Sequence, residues 1–170
     1  MKPKFIDYYM SIAESTAKLS YGVRLKVGAV IVRDNKILAT GYNGTPADWD
    51  NVCETKEYMD RGAGGWLGPE EIELRWPFEE PHSELGTTRY RLKTKPEVLH
   101  AESNSLMKVA RSTESSDNST LFCTHTPCIE CAKLMYQAGV KNVYFKTHYR
   151  DDTGLDFLKQ GNVNVYQYGV

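Results

Sequence analysis

The run Val27-Gly-Ala-Val-Ile-Val32 carries no polar side chain on either face. A strand made from it cannot be solvated on one side, as most antiparallel strands are, and belongs in the middle of a covered sheet. Lys36-Ile-Leu-Ala-Thr40 follows after Asp34-Asn35. That pair tolerates the left-handed backbone of a two-residue turn, so the two segments read as a hairpin. Upstream, Phe5, Tyr8, Tyr9, Ile12, Thr16 and Leu19 recur at helical spacing and predict a first helix.

The last third is as regular. His100 to Ala110 reads as a helix, Ser112 to Ser119 as a polar loop and Leu121 to Thr124 as a strand. Cys128 to Ala138 is a helix ended by Gly139, where a left-handed cap is wanted. Asn142 to Phe145 is a strand, Gly154 to Gln160 a helix and Val163 to Tyr168 the last strand. Strand, helix, strand twice over implies parallel pairing. The expected class is α/β, an antiparallel hairpin followed by parallel strands, with residues 1–170 as one domain.

Residues 44–96 differ in character, holding all three Trp (Trp49, Trp66, Trp76), five of the seven Pro and six of the 13 Gly. A loop this long in a compact domain has structure of its own or a function. Pro69-Glu-Glu-Ile-Glu-Leu-Arg75 suits a short helix, with Pro first and acids in the first turn. Two readings stand: an insertion packed on its own small core, or a lid or subunit-contact element shaping a pocket.

With 21 Lys+Arg against 22 Asp+Glu the formal net charge is −1, which disfavours a polynucleotide partner. The longest apolar run, Val27 to Val32, is too short for a bilayer, and Asp7 stands where a signal peptide needs apolar residues. The expected setting is cytoplasmic, where disulfides are rare, so Cys53, Cys123, Cys128 and Cys131 turn attention to metal chemistry.

Cys128 and Cys131, spaced C-x-x-C at a helix start, can grip one ion, and the helix N-terminus favours both thiolates. His100, at another helix start, completes three protein ligands and leaves a fourth position for water, the pattern of a catalytic zinc. Zinc brings the pKa of such a water to about 7. Glu102 lies two residues from His100; on a regular helix the two would diverge, but at a helix entry both can face the metal. The carboxylate would then take a proton without ligating the ion. A closed structural site would need a fourth ligand, nominally from Cys123, His125 or Cys53. His125 suits a pocket wall better, and His82 and His148 have no comparable context.

His100-Ala-Glu102 followed by Pro127-Cys-Ile-Glu-Cys131 is the H-x-E, P-C-x-x-C signature of zinc-dependent nucleobase deaminases. Over about residues 5 to 160 the chain resembles the deoxycytidylate (dCMP) deaminases, particularly those of bacteriophages. The resemblance is carried by Lys26-Val-Gly-Ala-Val-Ile31, Gly41-Tyr-Asn-Gly-Thr-Pro46, the His100 to Glu102 set with Asn104 and Arg111, Pro127 to Cys131, and Tyr149. It implies a three-layer αβα fold around a five-stranded mixed sheet, and deamination of dCMP to dUMP, a precursor for dTMP. In that chemistry water attacks C4 while Glu102 carries its proton to N3 and then to departing ammonia. The backbone of Ala101 would hold the base, Asn43 the deoxyribose and Tyr149 the phosphate side, with Thr126 and Pro127 also lining the substrate site. Asn43 also reads as a turn residue satisfying its own backbone, and Tyr149 as a packed surface aromatic.

The resemblance further implies a homo-hexamer, activated by dCTP with Mg²⁺ and inhibited by dTTP, with Gly41, Tyr42, Asn43, Gly44, Lys108 and Arg111 at the effector site. A solvated helix face also explains Lys108 and Arg111. For a phage protein the setting would be the host cytoplasm. Some phage members hold a second, structural zinc. Here Leu19-Ser20 and Tyr90 stand at positions that supply its ligands, so Cys53 is expected to be a free thiol and the zinc count one per chain. Two other readings compete with this one. A deaminase of tRNA adenosine or single-stranded DNA would draw on the basic run Arg89, Arg91, Lys93 and Lys95. A non-catalytic zinc-stabilised nucleotide-binding module would have no use for Glu102.

Overall fold

The computed structural model describes residues 1–60, 67–82 and 86–170; Trp66 lies outside them. The chain runs α1 (Pro3–Ala17), β1 (Gly28–Arg33), β2 (Lys36–Tyr42), β3 (Glu54–Tyr58), α2 (Pro69–Arg75), β4 (Phe78–His82), β5 (Gly86–Thr94), α3 (Ala101–Ala110), β6 (Thr120–His125), α4 (Ile129–Gln137), β7 (Asn142–Thr147), α5 (Thr153–Gln160) and β8 (Asn164–Gln167).

β1 is covered on both sides, as its sequence requires. The main sheet has the order β2-β1-β6-β7-β8, with β1 antiparallel to β2 and β6, and β6, β7 and β8 parallel. Ala29 and Ile31 point into one apolar cluster with Leu121, Cys123 and the inner faces of α3, α4 and α5. Val30 and Val32 point the other way, into a cluster with Phe122 and the α1 residues Tyr9, Met10 and Ala13. The result is three layers: α1, the mixed five-stranded sheet, and α3, α4 and α5. Fully burying an aliphatic or aromatic side chain contributes about 1.5–3 kcal/mol, so this central strand anchors both cores.

Asp34 and Asn35 have φ of 52° and 60°, the left-handed pair of a tight hairpin turn. Tyr9 Oη donates to Asn35 O at 3.0 Å and ties α1 to that turn. The buried side of α1 is Tyr9, Met10, Ala13, Thr16 and Ala17, whereas Tyr8 and Leu19 are exposed. The expected helix is there, but it ends before Leu19, and Met10 and Ala13 take the inward places assigned to Tyr8 and Leu19.

Residues 44–96 form more than a helix and loops. β3, β5 and β4 make a separate three-stranded antiparallel sheet in the order β3-β5-β4. Tyr58, Tyr90 and Phe78 face one another across its three strands, with ring centroids 5.9 and 5.4 Å apart. Pro81 is tolerated because β4 is an edge strand. The insertion leaves and returns at one point: Gly44 N donates to Leu99 O (3.1 Å) and Leu99 N to Gly44 O (2.8 Å). That bridge delivers the chain directly into His100.

Candidate active site

Two helix N-termini converge at one end of the sheet. His100 and Cys128 occupy the N-cap positions of α3 and α4, each with extended backbone (φ −78°, ψ 151° and φ −69°, ψ 165°). Gly41 lets α3 come this close to β2: a Cβ there would lie 2.1 Å from Ala101 O and 2.6 Å from Ser105 N. Gly154 does the same for α5, where a Cβ would sit 2.1 Å from Pro127 O.

His100, Cys128 and Cys131 offer three ligand atoms, all within 4.8 Å of one another. His100 Nδ1 lies 3.5 Å from both sulfurs. A tetrahedral zinc, with nitrogen at about 2.0 Å and sulfur at about 2.3 Å, would set the N···S separation at about 3.5 Å, so the donor set fits that ion. The electrostatics agree. Cys128 is pulled down to about 3 by the neighbouring Cys131 thiol and His100, while Cys131 is pushed up by the Cys128 sulfur and burial. The His100 imidazole is raised, chiefly by Cys128. A cluster that holds protons between sulfurs and imidazole suits a cation that replaces them. Among the described residues this is the one such group of three.

Glu102, 4% exposed, stands beside it. Burial pushes its carboxyl up to about 7, against the pull of its own backbone N–H and of His100. With His100 at the extended N-cap of α3, positions 100 and 102 line one cavity.

His100, Glu102 and Cys128 open into a cavity of about 470 Å³ also lined by Asn43, Ala101, His125, Thr126 and Tyr149. Asn43 Oδ1 accepts from Val27 N (2.7 Å) and Nδ2 donates to Leu25 O (2.9 Å), which leaves one amide hydrogen for a ligand. Thr126 Oγ1 donates to Tyr149 O and accepts from Tyr149 N, both at 2.9 Å, so its hydroxyl holds Tyr149 in place. Pro127 is fully buried and outside the lining. His125 is a cavity wall: Gly28 N donates to Thr124 Oγ1, which lies 3.0 Å from His125 Nδ1. A buried hydroxyl that already accepts once is best satisfied by donating to Nδ1, which puts the imidazole proton on Nε2.

Of the residues linked to an effector, only Asn43 lines this cavity. Gly41 and Gly44 are buried, the first against α3 and the second in the neck bridge. Lys108 Nζ donates to Thr40 O (2.8 Å) and lies 5.8 Å from the Tyr42 ring centre, while Arg111 ends α3 exposed. Cys53 is buried and lines the cavity, its sulfur 4.0 Å from Asn51 O.

Sequence reasoning passed over Arg24, Glu54, Thr94 and Arg150, which also line the cavity, as does Lys95. Three cations of the basic run are in ion pairs, Arg89 with Glu79, Arg91 with Glu57 (2.8 Å) and Lys95, just past β5, with Asp50 (3.6 Å). No helix among the described residues is long and apolar enough to cross a membrane.

Residues 3–147 match the family model for the cytidine and deoxycytidylate deaminase zinc-binding region. Deoxycytidylate deaminase of Enterobacteria phage T4 is 33% identical, with 83% of this chain and 78% of that one covered. Deoxycytidylate deaminase of Saccharomyces cerevisiae is 31% identical over 99% of this chain; the chain spans 46% of that relative's length. The crystal structure of dCMP deaminase from the cyanophage S-TIM5, in complex with dCMP and dUMP, superposes with a TM-score of 0.75 at 40% identity and covers 98% of both chains.

Proposed function

The chain belongs to the cytidine and deoxycytidylate deaminase family, and on that premise we propose that it hydrolyses dCMP to dUMP and ammonia. The observation that carries this reading is the buried Glu102 carboxyl beside a His100, Cys128, Cys131 group whose spacing fits one zinc. The bound ion would supply the positive charge that makes water nucleophilic near neutral pH.

The chain's own residues do the rest. Glu102 takes a proton from the attacking water and passes it to N3 of the pyrimidine. It then takes the remaining proton from the hydroxyl now on C4 and gives it to the C4 amino group, which leaves as ammonia while the C4 carbonyl forms, so the carboxyl ends as it began. A carboxyl whose proton affinity is raised by burial is suited to both transfers. The backbone at Ala101 orients the base, and the free Asn43 amide hydrogen meets the deoxyribose. Thr126 fixes Tyr149 toward the phosphate side.

The same reading makes the protein a homo-hexamer of the cytoplasm that supplies dUMP for dTMP synthesis. The surface of β2 and α3 around Tyr42, Lys108 and Arg111 would take dCTP with Mg²⁺ as activator and dTTP as inhibitor. The test is ammonia release from dCMP, dCTP, deoxycytidine and cytosine, each with and without dCTP or dTTP plus Mg²⁺. Fastest release from dCMP, raised by dCTP and lowered by dTTP, is expected. Ammonia from none of the four would overturn the reading.

A further inference from the structure

A second cavity, of about 280 Å³, lies at the other end of the main sheet. The candidate active site gathers where β6 ends, at His125, Thr126 and Cys128, whereas this cavity opens at Thr120 and Asn142, the first residues of β6 and β7. Five strand residues, about 16 Å, take the chain from Thr120 to His125. Thr120 also shares a face with Phe122, which packs under α1, so the cavity opens on the side of the sheet away from α3 and α4.

Two rows of side chains cross β6, β7 and β8 there. The parallel register sets Phe122, Tyr144 and Tyr166 side by side, with ring centroids 4.9 and 4.7 Å apart and planes within 10° and 23°. α1 closes over Phe122, but Tyr166 is left 43% exposed. Two residues earlier the strands align Thr120, Asn142 and Asn164. Asn164 Nδ2 donates to Asn142 Oδ1 (3.1 Å), and Asn142 Nδ2 donates to Thr120 Oγ1 (3.3 Å), which leaves Asn142 one amide hydrogen. The opposite wall is the β1–β2 turn. Asp34 serves that turn through its backbone, at φ 52°, and its carboxylate is unspent: the nearest cation is Arg33 Nε at 3.8 Å, and that guanidinium already bonds Ser115 O and Glu114. Among the described residues no lysine or arginine lines the cavity, so nothing in it selects a phosphate.

We propose that this cavity binds a nucleobase with an amino group beside a ring nitrogen, the edge that adenine presents. The Asp34 carboxylate accepts from the amino group, the remaining Asn142 N–H donates to the ring nitrogen, and the ring lies against Tyr144 and Tyr166. Pockets for larger ligands run to roughly 300–1,000 Å³, so this volume suits one ring system. The tyrosines are already stacked and the Asn142 amide is already oriented by Asn164 and Thr120, so little freedom is lost on binding. The site stands apart from the deaminase reading and does not need it.

The experiment is a saturation-transfer NMR titration of the zinc-loaded protein with adenosine and with inosine, whose ring edge exchanges the donor and the acceptor. Wild type, Y166A and D34G are compared, with melting temperature as a check on folding; glycine accepts the backbone of position 34, so D34G removes the carboxylate without straining the turn. Adenosine should bind wild type with a Kd below about 1 mM and at least about tenfold tighter than inosine. Each variant should weaken adenosine by at least about fivefold while kcat/KM for dCMP stays within about twofold of wild type. Saturating dUMP should leave the adenosine Kd unmoved. No adenosine signal, equal affinity for inosine, or a Kd unchanged in both variants would overturn the proposal. Displacement by dUMP would also overturn it, because the adenosine would then sit in the larger cavity.

Discussion

His100 Nδ1 and Cys131 Sγ, 31 positions apart in sequence, stand 3.5 Å apart in the fold, and Cys128 Sγ lies at the same distance from that nitrogen. Three ligand atoms drawn together from two helix entries hold their separations because the helices are packed closely on the sheet. Zinc content should therefore be one per chain by metal analysis, and Cys131→Ser should lose the ion and lower the melting temperature. Two zincs per chain would show a second set of ligands, with Cys53 the first residue to test.

On the proposed reading Glu102 serves the proton transfers without ligating the ion. Glu102→Gln keeps the side chain's shape, so zinc content and fold should persist while dCMP turnover falls by about 10²–10⁴-fold. Ammonia release beside metal analysis of the same sample checks this. Full activity in a zinc-loaded variant would refute the role.

Burial of Glu102 has a consequence for the metal-free protein. Its carboxyl ionises near 4.5 when unfolded and near 7 in the fold. As pH rises between these values the unfolded chain gives up a proton that the fold retains, so this group's contribution is fully present below about pH 4.5 and lost as pH rises through about 7. The difference amounts to at most about 3 kcal/mol. Urea unfolding of the metal-free protein at pH 5 and pH 8, with Glu102→Gln as reference, should show wild type losing more stability than the variant. Zinc should shrink the gap, because a nearby cation favours the carboxylate.

Gly41 sits where any side chain meets the backbone of α3. Gly41→Ala should cost about 1–3 kcal/mol and weaken zinc binding, because α3 must move away from β2 and takes His100 with it. Gly68→Ala, with nothing within 4 Å of the added Cβ, is the control and should change neither. Thermal melts and a zinc titration of both variants decide it.

The central sheet and the ligand group were legible because each rests on local pattern. A strand apolar on both faces, an Asp-Asn turn and two metal half-motifs, each opening a helix, announce themselves within a few residues. β3, β4 and β5 escaped because their strands are polar on both faces and are held by ion pairs such as Arg91 with Glu57 and by one aromatic row, Tyr58, Tyr90 and Phe78. β3 meets β5 far away in sequence, Tyr58 opposite Tyr90, and although β4 and β5 pair locally, His82 opposite Gly86, such short polar strands give only a weak period of two. Glu54 and Arg24 escaped for the same reason: 30 positions separate the carboxylate from the amide it holds. Asn43 could be read either as a ligand donor or as a turn residue, and its amide serves the backbone of Leu25 and Val27 while keeping one hydrogen toward the cavity.

The most direct measurement follows ammonia and dUMP from dCMP in three samples: zinc-loaded protein, the same protein after chelation, and the chelated protein given zinc again. One ammonia and one dUMP per dCMP consumed, lost on chelation and restored by the metal, is the predicted result. Undiminished turnover by a protein shown to be free of metal would contradict it.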